Sequence, residues 1–306
     1  MVKIGIGLPV AVPGRAVEET AQWAADSERL GFSSLGSIDR LVYDNVEPLI
    51  ALAAAAAVTK RVELFTTVLN VGWRNNSVLL AKQLASIDQI SGGRLTAGLA
   101  LGAWPQDYEI SGVSLAGRGK AFDDVLATMR RVWDGQVGGV SGPMPKLPDG
   151  RPGVLIGGFV PAAYARVARA GDGWVAPSFN NDILVSGIQA VRAEWARAGR
   201  PGKPRVIAER YFCCGPDAEA NTDRYISAYY GDASSEYFDL VRADALTDDE
   251  HLRSELTRLA VAGCGDVVLL PCASSLNQVR LLAEALLRVG AHHGTGFEIP
   301  QSAQTS

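Results

Sequence analysis

The sequence predicts a single α/β domain, a (β/α)8 barrel of the TIM type, and three observations carry that expectation. Apolar runs of strand length alternate eight times with longer segments at helical period, over 306 residues without a break in composition. The glycine fingerprint of a dinucleotide-binding open sheet is missing. Gly5-Ile6-Gly7-Leu8-Pro9-Val10 has two of its glycines, lacks the third, and carries a proline where the helix would start. No Walker A phosphate loop occurs. Alternation alone also suits an open doubly wound sheet; the missing motifs weigh toward closure.

Residues 2–9 read as strand one, and 17–30 as a helix that turns Ala21, Ala24, Ala25 and Leu30 inward and stops at Gly31. Residues 33–38 are strand two, 47–59 a helix and 61–70 strand three. The helix over 77–91 carries Leu80, Leu84, Ile87 and Ile90 at helical spacing and is closed by Gly92-Gly93 before strand four, 95–101. After a helix over 120–133 comes a Gly/Pro-rich loop, 135–152, a candidate lid. Strands five, six and seven are expected at 154–157, 173–176 and 205–214, separated by helices at 162–170 and 182–198. An acidic, enlarged helical insertion, 216–262, precedes strand eight, 266–271, and a closing helix, 276–289. The barrel is thus expected over 1–290, with 291–306 a loose tail.

Hydrophobic residues make up 47% of the chain and charged residues 20%, a globular mix. A net charge of −4 with no cluster of Lys or Arg excludes the basic footprint of a nucleic-acid-binding surface. The longest apolar stretch, 49–58, has about half the length of a membrane span and is mostly alanine. With no leader pattern at the start, the chain is expected in the cytoplasm. Cys213, Cys214, Cys264 and Cys272 lack zinc-ligand spacing, lie in or beside strand-like runs, and read as reduced, buried thiols.

In such a barrel the working residues stand at the carboxyl ends of the strands. Those ends carry Asp39 and Arg40 after strand two, and Thr66, Thr67, Val68, Asn70 and Trp73 around strand three. Gly102, Trp104, Asp107 and Tyr108 follow strand four, and Gly157 and Gly158 strand five. Trp174, Pro177 and Ser178 mark strand six, Glu209, Arg210 and Tyr211 strand seven, and Pro271 and Ser274 strand eight.

Histidine supplies the sharpest exclusion: the three present are His251, His292 and His293, none at a strand end. A His-ligated metal site and a Ser-His-Asp hydrolase both lose their central residue. A bound organic cofactor, with no metal, is then the expected source of the chemistry. Gly157-Gly158 lets backbone approach a phosphate, and a helix beginning near Pro161 aims unpaired N–H groups at an anion; the same glycines also suit a plain strand-to-helix turn. Asn70 and Gly102 join the cofactor-binding set from neighbouring strand ends. Trp73, Trp104 and Tyr108 would line the pocket for a planar ring and a small-molecule substrate.

Three blocks resemble the bacterial luciferase-like monooxygenase family, in order and spacing over nearly the whole chain. They are the run from Leu80 to Ser91-Gly92-Gly93-Arg94-Leu95; Arg118-Gly119 with Phe122-Asp123-Asp124 and Arg130-Arg131-Val132-Trp133; and Ile156-Gly157-Gly158 with Ala170-Gly171-Asp172-Gly173-Trp174. The resemblance implies a bulge in strand three with a non-proline cis peptide at Thr67-Val68, against which a flavin ring rests. It puts Gly157, Gly158, Gly173 and Trp174 near the cofactor's phosphate. Asp39 matches an acidic position of the family, but the next position, commonly histidine, is Arg40. Arginine stays charged and does not shuttle protons near neutral pH, so the cofactor and the Asp39–Arg40 pair have to meet that need in another way, Arg40 by pairing with Asp39 or with a substrate anion.

The resemblance further implies reduced FMN from a partner flavin reductase, oxidation of a small organic substrate with oxygen, and a homodimer. One alternative is hydride transfer with the deazaflavin coenzyme F420, whose longer anionic tail would use Arg74, Arg118, Lys120 and Arg151. The other is a flavin-binding relative without turnover.

Overall fold

The computed structural model describes residues 2–138, 150–179, 181–231 and 235–290; most of the candidate lid and the tail 291–306 lie outside the described residues. Eight strands run β1 (Lys3–Gly7), β2 (Ser34–Ser37), β3 (Glu63–Asn70), β4 (Leu95–Ala100), β5 (Gly153–Gly157), β6 (Gly173–Val175), β7 (Arg205–Phe212) and β8 (Asp266–Pro271). All pair in parallel and in sequence order, and the sheet closes through β8 on β1, with Ile4 opposite Val267 and Ile6 opposite Leu269. The fold is a (β/α)8 TIM barrel. Its strands are buried on both faces, by the barrel interior and by the outer helices, so β4, β5 and β8 run almost continuously apolar instead of alternating.

The outer layer comprises α1 (Thr20–Arg29), α2 (Pro48–Val58), α3 (Ser77–Ser91), α4 (Pro105–Ser111), α5 (Arg118–Trp133), α6 (Pro161–Ala170), α7 (Asn181–Arg197), α8 (Ala218–Tyr230), α9 (Ser235–Ala243), α10 (Asp249–Ala262) and α11 (Asn277–Gly290). α3 has the bounds its sequence predicts because both its ends are capped. Asn76 accepts a hydrogen bond from the Leu79 amide at 2.9 Å, and Gly92 ends the helix at φ +75°. Arg94 then ties α3 to the end of α2, donating to the carbonyls of Ala56, Thr59, Val62 and Ser91. A guanidinium on the last carbonyls of α2 satisfies groups that helix geometry leaves unpaired. The conspicuous Ser-Gly-Gly-Arg run is therefore structural.

At the amino ends of the strands, Arg205 donates to both carboxylates that begin β3 and β8, to Glu63 at 2.6 Å and Asp266 at 2.8 Å. That end of a barrel serves stability, which leaves the opposite end for chemistry.

Two expectations need correction. β7 ends at Phe212, so Cys213 and Cys214 lie beyond the strand, where the Cys213 amide turns aside to bond the Leu246 carbonyl. α4 was not anticipated. It is only seven residues long, started by Pro105 and ended by Gly112 at φ +69°, too short to show a helical period. The insertion after β7 resolves into α8, α9 and α10. All four cysteines are free thiols, three of them buried.

Candidate active site

A cavity of about 560 Å³ opens at the carboxyl ends of the strands. β2 and β3 build one wall. The carboxyl of Asp39, just past β2, is almost fully buried; its Oδ2 accepts from the Asn70 amide at 2.8 Å and from Arg74 at 3.2 Å. Burial outweighs these partners and pushes the Asp39 carboxyl up to about 6. Its Oδ1 has no partner among the described residues. Asp39 and Asn70 both line the cavity.

Arg40 does not pair with Asp39 and is not in the cavity wall. Its Nε lies 3.3 Å from Asp107 Oδ2, with both side chains buried, and its guanidinium stacks 3.8 Å from the ring centre of Trp104. Asp107 in turn accepts from the Val42 amide at 2.8 Å. Arg40 therefore props the loop after β4, and Trp104 is the cavity-facing surface of that stack.

β3 forms the floor. The Thr67–Val68 peptide is cis, and the pairing with β4 shifts register between Thr66 and Leu69, the bulge the family resemblance implies. Both residues line the cavity, as do Gly102, Gly157 and Gly158. Gly158 sits at φ +116°, and α6 follows with no side-chain cap on its first turn. Trp174 is fully buried behind this turn, where its indole N–H donates to the Gly158 carbonyl at 2.8 Å. It shapes the turn without lining the cavity. Gly173 is required elsewhere: a Cβ there would lie 2.2 Å from the Arg205 carbonyl oxygen.

Trp73 and Tyr108 also stand outside the cavity lining. Arg74 covers the Trp73 ring at 4.4 Å, and the Tyr108 hydroxyl donates to the Leu101 carbonyl. A Cβ at Gly72 would meet that hydroxyl at 1.8 Å, so this glycine makes room for Tyr108.

Candidates from strand seven join the cavity, and further residues reach it from outside the strand ends. Glu209 points into the cavity from β7, and burial raises its carboxyl well above the ordinary range. Tyr229, Tyr230 and Tyr237 reach the cavity from α8 and α9, and Phe159 and Phe179 from the loops after β5 and β6. The tyrosine spacing in an acidic helical stretch was the available signal, but only packing shows that these helices fold over the mouth. Among the described residues, no three His, Cys, Asp or Glu side chains gather as a metal-ligand set.

These residues fit a flavin. Gly157 and Gly158 leave backbone bare beside an uncapped helix start, and a Cβ at Gly157 would press on Ala100 at 3.2 Å and touch Val68 at 3.4 Å. The oxygens Asp39 Oδ1, Thr67 Oγ1 and Glu209 Oε1, all on cavity residues, are buried without partners among the described residues, as a ring with a polar edge requires.

A model of the luciferase-like monooxygenase family matches residues 2–267. The chain belongs to that family. An uncharacterised protein of Mycobacterium tuberculosis (strain H37Rv) is 31% identical over 174 residues, 53% of this chain and 61% of that relative. The chain thus spans about 61% of the length of such relatives. The 5,10-methylenetetrahydromethanopterin reductase of Methanolobus tindarius is 25% identical over 219 residues, 68% of this chain and 65% of the relative. Among solved structures, the family fold recurs in monooxygenase RslO1 of Streptomyces bottropensis, 25% identical with a TM-score of 0.78, covering 94% of this chain and 99% of that one. No helix among the described residues is long and apolar enough to cross a membrane.

Proposed function

We propose that this protein is an FMN-dependent monooxygenase that uses reduced FMN and molecular oxygen to oxidise a small organic substrate. The observation that carries the choice of cofactor is the charge at the cavity mouth. Arg74 is paired with Asp39 and Glu47 and Lys120 with Asp124, while Arg151, paired with Asp172, precedes β5 and so stands at the opposite, amino end of the barrel. Arg118 lines the cavity with no carboxylate partner among the described residues, its NH1 donating to the Gly102 carbonyl at 3.2 Å. The Arg118 guanidinium together with the Gly157–Gly158 turn suits the single phosphate of FMN, while the other cavity-lining guanidinium, Arg166, is held by Asp123, which it shares with Arg169. The longer anionic tail of F420 would find the other cations already engaged.

When bound, reduced FMN supplies the activation of oxygen. The chain does the rest. Gly157, Gly158 and Arg118 hold the phosphate end, Thr67 and Val68 support the ring, and the aromatic residues of α8 and α9 exclude water. Asp39, with its carboxyl near 6, holds or releases a proton at Oδ1 close to neutral pH, which Arg40 cannot do. A partner flavin reductase supplies the reduced cofactor.

The test is incubation with FMN, a flavin reductase and a panel of small organic compounds under isotopically labelled oxygen gas. Incorporation of one labelled oxygen atom into a product supports the reading; oxygen consumption with no labelled product for any compound counts against it. The likeness to the methanopterin reductase favours a second reading, hydride transfer with F420. Substrate-dependent reduction of F420 without oxygen would identify that chemistry.

A further inference from the structure

The cavity holds a second polar centre that flavin binding leaves unassigned. Along β7, alternation sends Arg210 outward, where it meets Glu255 at 2.9 Å with both side chains unexposed, and sends Glu209 inward to the cavity. Glu209 is only 8% exposed, and its Oε1 has no hydrogen-bond partner among the described residues. The guanidinium of Arg210 is committed to Glu255 and to the carbonyls of Pro177 and Glu209. A carboxyl buried with no hydrogen-bonded cation keeps its proton, here because burial outweighs the pull of the Arg210 charge. Such a carboxyl has one O–H to give.

Its neighbours define what it gives that hydrogen to. A chain of rings lines the same cavity: Phe159 to Phe179 at 5.8 Å between centroids, Phe179 to Tyr237 at 4.6 Å, Tyr237 to Tyr230 at 5.5 Å, and Tyr230 to Trp104 at 5.8 Å. The Tyr230 hydroxyl shares a hydrogen bond with the Tyr211 hydroxyl at 2.8 Å. Arg40 fixes the Trp104 end of the wall from behind. A row of ring faces and edges with one free acid O–H matches a flat, uncharged molecule carrying one acceptor oxygen.

We propose that Glu209 donates a hydrogen bond to the carbonyl oxygen of an uncharged aromatic ketone seated against this ring wall, and that aromatic ketones are the substrate class of the site. The proposal rests on the flavin-monooxygenase reading only for the word substrate; the recognition is a property of this chain.

Fluorenone and fluorene have nearly the same shape and differ in the carbonyl, and fluorenylamine as its ammonium ion replaces the acceptor with a cation. Calorimetric titration of the full chain with each probe, with and without saturating FMN, tests the proposal. Fluorenone is expected to bind about tenfold tighter than fluorene, the value of one hydrogen bond to an otherwise unsatisfied buried donor. Glu209→Gln retains a donor and is expected to keep that preference to within about threefold, whereas Glu209→Leu erases it. Equal affinity of the wild-type chain for fluorenone and fluorene, or no binding of fluorenone, overturns the proposal without requiring any variant to fold. So does a preference that survives Glu209→Leu, or ammonium binding that Glu209→Gln abolishes, which would mark an ionised carboxylate. The titrations are repeated anaerobically with reduced FMN, so a ketone preference without reduced-FMN binding sinks the flavin reading and leaves Glu209 standing.

Discussion

Asp39 and Asn70 bind each other twice across the carboxyl ends of β2 and β3. The Asn70 amide donates to Asp39 Oδ2 at 2.8 Å, and the Asn70 side chain donates to the Asp39 carbonyl at 2.7 Å. This reciprocal clasp holds the Asp39 carboxyl at the cavity wall and leaves Oδ1 free.

The clasp has a pH signature. The Asp39 carboxyl is raised from 3.8 to about 6 on folding, chiefly by burial, so between those values the folded chain binds a proton that the unfolded chain has lost. A raised acid contributes stability that is complete below its unfolded value and is lost as pH rises through about 6. The wild type should therefore lose about 2 kcal/mol relative to Asp39→Asn between about pH 4 and pH 7. Urea denaturation of both proteins across that range measures it; parallel curves would show that Asp39 does not titrate there.

The strand ends were legible because burial on both faces of a parallel strand writes a continuous apolar run, and Asp39, Asn70, Gly157 and Gly158 directly follow or end such runs. Trp73 and Tyr108 share that sequence position yet turn away, since their direction depends on Arg74 and Gly72, which no periodicity reports. Tyr229, Tyr230 and Tyr237 were missed for the opposite reason. They lie on helices of the insertion, far in sequence from any strand end, and reach the cavity only through packing.

Arg40 and Asp107 form a buried pair, so removing one partner strands the other's charge. Arg40→Leu and Asp107→Leu should each destabilise the chain by about 3–5 kcal/mol, with the double variant costing less than their sum by about 1–3 kcal/mol. A double-mutant cycle in guanidinium chloride gives the coupling; additive costs would show the contact to be energetically idle.

Arg210 and Glu255 make the analogous test away from the cavity, with side chains 0% and 1% exposed. Glu255→Ala is expected to cost about 3–5 kcal/mol in chemical denaturation. A loss below about 1 kcal/mol would mean that Arg210 finds water or another acceptor once Glu255 is gone.

Gly158 is required by its φ of +116° and by Ala163, whose Cβ would lie 3.0 Å from an added Cβ. Gly158→Ala should destabilise the turn by about 1 kcal/mol or more and weaken FMN binding by about tenfold. Fluorescence titration of FMN reads the second effect, and unchanged affinity would remove this turn from the phosphate site.

The most direct test of the account is an anaerobic titration of the purified chain with reduced FMN and, separately, with reduced F420, repeated on Arg118→Ala. Saturable binding of one reduced FMN per chain, tighter than F420 and weakened about tenfold or more by Arg118→Ala, is the predicted result. Tighter binding of F420, or no saturable binding of reduced FMN, would contradict it.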